Sequence, residues 1–201
     1  MSDIRMLPEP VVRMTQFYRA KDEDTQFFGS CGQTALAVCM ACATGNPSTF
    51  EGVGELMIHI TQSMIASGIA SPNGAARLTA YAQQARTMGA KIRSEIPYHE
   101  PLFDWQELLK EQAGIRPILL QVAHGGKLTD SETGRHDDEA LRYHAFAVVG
   151  VRDDGYICAD SAHPEITRRF QIYSLETLVN ALPCGMLILE MQRDSIYSAN
   201  D

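Results

Sequence analysis

Residues 143–160 read YHAFAVVGVRDDGYICAD. Two apolar runs, AFAVVG and YICA, flank Asp153-Asp154-Gly155, and an Asp-Gly step between apolar runs is a strong hairpin signal. The stretch therefore reads as a strand over 144–150, a turn at 153–155 and a returning strand over 156–160. In an antiparallel pair joined by a tight turn, the start of one strand lies beside the end of the other. His144 and Asp160 are thereby expected to be neighbours. A lone histidine at a strand edge is usually capped by a backbone group. A carboxylate across the hairpin points to a different role, because it can fix the imidazole tautomer and steady the imidazolium.

A base of this kind serves a nucleophile, and the chain offers one far upstream. Gly29-Ser30-Cys31-Gly32 leads into QTALAVCMACAT at 33–44. Apolar positions lie almost all around that segment, which predicts a buried central helix, ended by Gly45-Asn46-Pro47. A thiol attacks only as thiolate, and a helix N-terminus or a nearby imidazole favours that form. Cys31 stands where a glycine-bearing turn enters the helix, and small neighbours would let a substrate backbone approach. Cys39 and Cys42 lie deeper in the helix and read as core. Their CxxC spacing has no second CxxC or histidine pair at zinc-site spacing.

Around these two segments the chain alternates predicted elements. Residues 1–29 read as an irregular or strand-containing arm, with a solvated KDED run at 21–24. Helices are expected over 49–66, where Val53, Leu56, Met57, Ile60 and Met64 follow a helical period, and over 75–89, 104–111 and 174–182. Asp104 and Ser174 are the candidate N-caps of the last two. Strands are expected over 90–96, 118–123 and 185–190. Residues 124–142 form a long polar loop between two apolar strands, of the sort that is usually functional or disordered. Helices come mainly first and antiparallel strands later, an α+β layout. The boundaries read as an arm at 1–25, one domain at 26–192 and a tail at 193–201.

The 201-residue chain is 45% hydrophobic and carries a formal net charge of -8, with a sequence pI near 5.2 and a mean hydropathy of -0.16. That composition supports a packed core and offers no basic footprint for nucleic acid or anionic membrane. No apolar run approaches the roughly 20 residues of a membrane-spanning helix, and the first residues lack the layout of a signal peptide. The expected location is the cytoplasm, or wherever a specialised secretion system delivers the chain. Five scattered cysteines suit free thiols better than a disulfide framework. His124, His136, Asp137 and Asp138 share the long loop at spacings that fit no common ligand set, so no metal and no cofactor is expected. His59 reads as a helix-surface residue and Trp105 as core or cleft wall.

The segment GSCGQTALA at 29–37 resembles the nucleophile helix of papain-like cysteine peptidases. YHAFAVVGV at 143–151 and DDGYICAD at 153–160 resemble the histidine strand, turn and aspartate strand of one branch. That branch holds the bacteriocin-processing double-glycine leader peptidases and their stand-alone, C39-like relatives. The order between them is similar too, with RPILLQV at 116–122 as a buried strand before the histidine strand. The likeness runs over about residues 26–190. It implies a papain-like fold, helices packed on a C-terminal antiparallel sheet, with Cys31 as nucleophile, His144 as base and Asp160 as orienter. It also implies a glutamine ahead of the cysteine whose amide helps hold the oxyanion. Gln26 matches, five positions before Cys31 where the pattern usually has six. Gly29, Ser30, Gly32, Tyr143 and His163 are candidates to line the cleft. The activity so implied is peptide-bond hydrolysis through a thioester, on a peptide or protein substrate. Acyl transfer, transglutamination or deamidation would use the same thioester, and a catalytically silent binding domain is the alternative from another class.

Overall fold

The computed structural model of the chain describes residues 4–9, 11–12, 14, 31–71, 76–97, 105–134, 142–162 and 170–192. Five helices and seven strands lie within them: β1 (Arg5–Met6), α1 (Cys31–Thr44), α2 (Phe50–Ala66), α3 (Leu78–Thr87), β2 (Ile92–Ile96), α4 (Trp105–Gln112), β3 (Ile118–Val122), β4 (His144–Arg152), β5 (Gly155–Ala159), β6 (Gln171–Tyr173), α5 (Leu175–Ala181) and β7 (Pro183–Leu189). The strands form one sheet in the order β2-β7-β3-β4-β5-β6, with β1 on β4. Every pairing is antiparallel. The molecule is thus α+β, as the order of elements in the sequence predicts.

Both faces of the sheet are covered, and period-2 alternation sorts the strand residues between them. Leu119, Ala145, Ala147, Val149, Leu187 and Leu189 face one core, built with α1, α2 and α3. Ile118, Leu120, Val122, Phe146, Val148, Met186 and Ile188 face the other, with Leu109 of α4 and Leu178 of α5. Burial on both faces is the reason β3 and β7 read as nearly unbroken apolar runs. Each leucine or isoleucine fully buried in this way stabilises the fold by about 1.5–3 kcal/mol relative to exposure.

Helix α1 lies at the centre of the first core, packed on α2, α3, β3, β4 and β7. Residues Gly32 to Ala43 are all buried, so apolar side chains are needed all round it. The described helix reaches back to Cys31, two residues earlier than the 33–44 reading, which brings the thiol into the helix. Gly32 has a specific packing reason. A Cβ there would lie 2.0 Å from the Tyr81 hydroxyl of α3, a buried ring, so only glycine lets α3 close over the start of α1.

The hairpin forms with a tighter turn than expected. Arg152 pairs with Gly155, leaving Asp153 and Asp154 as the two-residue loop. Gly155 opens β5, and a Cβ on it would meet the Tyr173 carbonyl oxygen at 2.6 Å. A bulge between Val148 and Gly150 shifts the β4–β5 register. Beyond β3, the strand β4 pairs with β1 at Gly150 and Val151, and Leu7 N–H donates to the Val149 carbonyl at 2.9 Å. This part of the N-terminal arm is therefore tied into the sheet.

Other expected boundaries shift modestly. Helix α2 covers its expected span and is capped by Thr49, whose side chain accepts from Gly52 N–H. Helix α3 is shorter than the 75–89 reading. Helix α5 has Ser174 as its N-cap, accepting from Thr177 N–H at 3.1 Å, as expected. The proposed Asp104 cap lies outside the described residues. The first part of the 124–142 loop is folded against the second core. Leu128 and Asp130 are buried, Ala123 and His124 N–H groups donate to the end of α5, and Ser131 N–H donates to Ile172 of β6. Strand β6 itself was not expected from the sequence.

Candidate active site

Strand register places His144 and Asp160 together. Val148 pairs with Cys158 and Ala147 with Ala159. Continuing that register sets Asp160, just past the end of β5, opposite Phe146 and diagonal to His144 on the same face, within reach of long side chains. His144 Nε2 and Asp160 Oδ1 are 2.8 Å apart, and both side chains are fully shielded from solvent. A buried carboxylate is costly unless it is satisfied, and this one is. Oδ1 also accepts from Ala162 N–H at 2.9 Å, and Oδ2 accepts from the Tyr173 hydroxyl at 2.8 Å.

Opposing effects set the charge of the pair. Burial disfavours the imidazolium, but the Asp160 charge and hydrogen bond outweigh it, helped by Cys31. His144 is thereby held well above the ordinary imidazole range. Burial likewise penalises the Asp160 carboxylate, yet the charge and hydrogen bond of His144, with the donors from Ala162 and Tyr173, bring it below the ordinary carboxylate range. Both shifts favour an imidazolium beside an ionised carboxylate.

With Nε2 committed to Asp160, the ring has one nitrogen left. Nδ1 is buried and has no hydrogen bond of ordinary geometry among the described residues. Cys31 is close enough to the ring to contribute to the upward shift of His144. Cys31 is partly exposed and starts α1. The other thiols differ. Cys39, Cys42, Cys158 and Cys184 are buried. Burial, then neighbouring Cys42, pushes the Cys39 thiol far up. Burial, then Asp160 and Asp130, does the same to Cys158, and burial raises Cys184 to about 11. Such thiols stay protonated and are poor nucleophiles.

Second contacts complete the cluster. The Phe146 ring lies 5.9 Å from that of His144, and Tyr173 meets Phe146 edge-on at 5.3 Å. Gln171 Oε1 accepts from Asp160 N–H at 3.2 Å. None of these three residues was singled out from the sequence. Gln171 and Tyr173 lie on the three-residue strand β6, too short to give a periodic signal.

Of the other candidates, Tyr143 is exposed immediately before His144, and Gly32 is buried beneath Tyr81. Gln26, Gly29, Ser30 and His163 lie outside the described residues, as do His136, Asp137 and Asp138 of the loop. His59 is exposed on α2, and Trp105 packs partly buried against the second core. Among the described residues no group of three or more His, Cys, Asp or Glu side chains could hold a metal ion. No helix among them is long and apolar enough to cross a membrane.

A crystal structure from Bacillus anthracis, provisionally described as a C39-like peptidase, is similar in fold. The TM-score is 0.54 at 11% sequence identity, over 94% of this chain and 98% of that one. No protein-family model matches the sequence, and no curated protein does so either.

Proposed function

We propose that the chain is a cysteine peptidase of papain-like architecture, C39-like in its branch, with Cys31 as nucleophile, His144 as general base and acid, and Asp160 as the group that orients His144. One observation carries this reading: a fully buried His144–Asp160 hydrogen bond that leaves the second ring nitrogen without a hydrogen bond among the described residues, in a molecule whose one partly exposed thiol stands at the start of the central helix. The similarity in fold to the Bacillus anthracis protein supports it.

The chemistry follows from the positions. Cys31 gives its proton to His144 Nδ1, and the Asp160 charge stabilises the resulting imidazolium. The sulfur adds to the peptide carbonyl carbon. As the C–N bond breaks, His144 returns the proton to the leaving amine and a thioester remains. Water then attacks the thioester, giving its proton to His144, and the C–S bond breaks to release the acid and regenerate the thiol. The first-turn N–H groups of α1 are donors available to the oxyanion, and Gln26 is the side chain proposed to assist them. The substrate is a peptide or protein.

A thiol-reactive peptide probe tests the reading. Labelling is expected at Cys31 far ahead of Cys184, absent in Cys31→Ala and weak in His144→Ala. Mass spectrometry of incubated peptides is expected to show new termini. Equal labelling of Cys31 and Cys184 would end the proposal. Mass changes without new termini would redirect it to acyl transfer or deamidation.

A further inference from the structure

The Asp160 carboxylate is held from two sides. Oδ1 serves His144 Nε2 and the Ala162 N–H. Oδ2 has one partner among the described residues, the Tyr173 hydroxyl at 2.8 Å. Both Asp160 and Tyr173 are buried, so water cannot readily replace that hydroxyl. Tyr173 belongs to the edge strand β6, and Gln171, two residues earlier on the same face, accepts the Asp160 N–H. Strand β6 thus grips the backbone and the carboxylate of Asp160 at once. The ring of Tyr173 is braced edge-on by Phe146, which fixes where the hydroxyl points.

We propose that Tyr173 is a positioning residue of this site, its hydroxyl holding the Asp160 carboxylate ionised and turned toward His144. The inference rests on the reading of Cys31, His144 and Asp160 given above and adds a fourth group to it. A carboxylate that lost this donor would have a buried oxygen with nothing to accept from, and its charged form would be disfavoured. It could also rotate, exchanging the oxygen that faces the ring. A phenol suits the task because it donates without bringing a charge of its own.

Among the described residues, the ionisable groups around the carboxylate are few. His144 comes from β4, Tyr173 from β6 and Cys158 from β5, while Cys31 of α1 acts through His144. Asp130 acts on Cys158. Cys158 is neutral in the acid range because burial holds its proton, so a change there on altering Tyr173 reports Asp160.

The experiment compares the wild-type chain, Tyr173→Phe and a chain carrying 3-fluorotyrosine at position 173. Phe keeps the ring and its contact with Phe146 and removes only the hydroxyl. Fluorotyrosine keeps the hydroxyl and makes it a stronger donor. One readout is the acidic inflection of the His144 imidazole resonances by NMR, which follows protonation of Asp160 and needs no activity. The other is the pH profile of Cys31 alkylation by iodoacetamide. For Tyr173→Phe the inflection is expected to rise by about one pH unit. Alkylation in the acid range is expected to slow about tenfold. Fluorotyrosine is expected to lower the inflection. A Tyr173→Phe chain with the wild-type inflection and profile overturns the proposal, as does fluorotyrosine that leaves the inflection unmoved or raises it. If wild-type Cys31 alkylates no faster than Cys184, the peptidase reading fails by a separate observable, and the His144 inflection still decides what Tyr173 does.

Discussion

The two faces of the sheet do different work. The face under α1 is almost wholly apolar, from Leu119 and Ala147 to Leu187, and the proposed nucleophile, Cys31, comes to it in the first described turn of the helix. The opposite face carries a polar chain through its core, in which His144, Asp160 and Tyr173 are linked at 2.8 Å each step. These residues come from three strands and depend on register. The comparison teaches that a thiol at a helix start can be read from a local signal, while a histidine–aspartate pair needs long-range pairing and full hydrogen-bond satisfaction to sit in an apolar layer at all.

Breaking the polar chain should have the largest effect. Asp160→Ala leaves His144 Nε2 and the Tyr173 hydroxyl buried without their acceptor, and is expected to cost about 3–5 kcal/mol of stability, read by denaturant unfolding. Asp160→Asn keeps the shape and is expected to lower peptidase turnover by up to about 10⁴-fold, read with a cleavable peptide. Turnover within a few-fold of wild type would show that the aspartate is only structural.

Next come matched deletions on the two faces. Leu119→Ala and Leu120→Ala are neighbours in β3 that empty opposite cores. Each is expected to cost about 2–5 kcal/mol. Because Leu119 packs on the α1 side, Leu119→Ala should also slow Cys31 labelling, whereas Leu120→Ala should do so less. Equal effects on labelling would erase the proposed division between faces.

The pH dependence isolates the polar face without mutation. The Asp160 carboxyl is lowered in the folded state, so its contribution is fully present above the ordinary carboxylate value of 3.8 and lost as pH falls through its lower folded value. His144 is raised, so its contribution is fully present below the ordinary 6.5 and lost as pH rises through its higher folded value. Unfolding free energy measured against pH should be greatest between those limits and decline on both sides. In Asp160→Asn both limbs should flatten.

Gly32→Ala tests the contact between α3 and the start of α1. Forcing a methyl against Tyr81 is expected to cost about 1–3 kcal/mol and to slow Cys31 labelling, measured by thermal unfolding and by the peptide probe. The smallest effect is expected far from either site. Ser174→Ala removes the α5 cap at a cost of about 1 kcal/mol, with labelling of Cys31 unchanged.

Much of this was legible in residues 143–160. Alternating apolar runs around an Asp-Gly step specify a hairpin through local turn preference, and the hairpin carries His144 next to Asp160. The all-round apolar character of 33–44 likewise marks a central helix, because only a helix covered on every side tolerates that pattern. Tyr173 and Gln171 were not legible as part of the site. Strand β6 is three residues long, too short for a periodic signal, and its partner is fixed by pairing with β5. That α1 extends back to Cys31 was also hidden, since Gly32 has a weak helical preference.

The sequence by itself determined the helix that bears Cys31, the hairpin that joins His144 to Asp160, and the α+β order of the elements, because turn chemistry and hydrophobic period act over a few neighbouring residues. Only the tertiary structure decided that Oδ2 of Asp160 is held by Tyr173, that Nδ1 of His144 is buried without a hydrogen bond among the described residues, and that Gly32 lies under Tyr81. Those contacts join residues far apart in the chain, and register and close packing of buried groups select them, which no local pattern encodes.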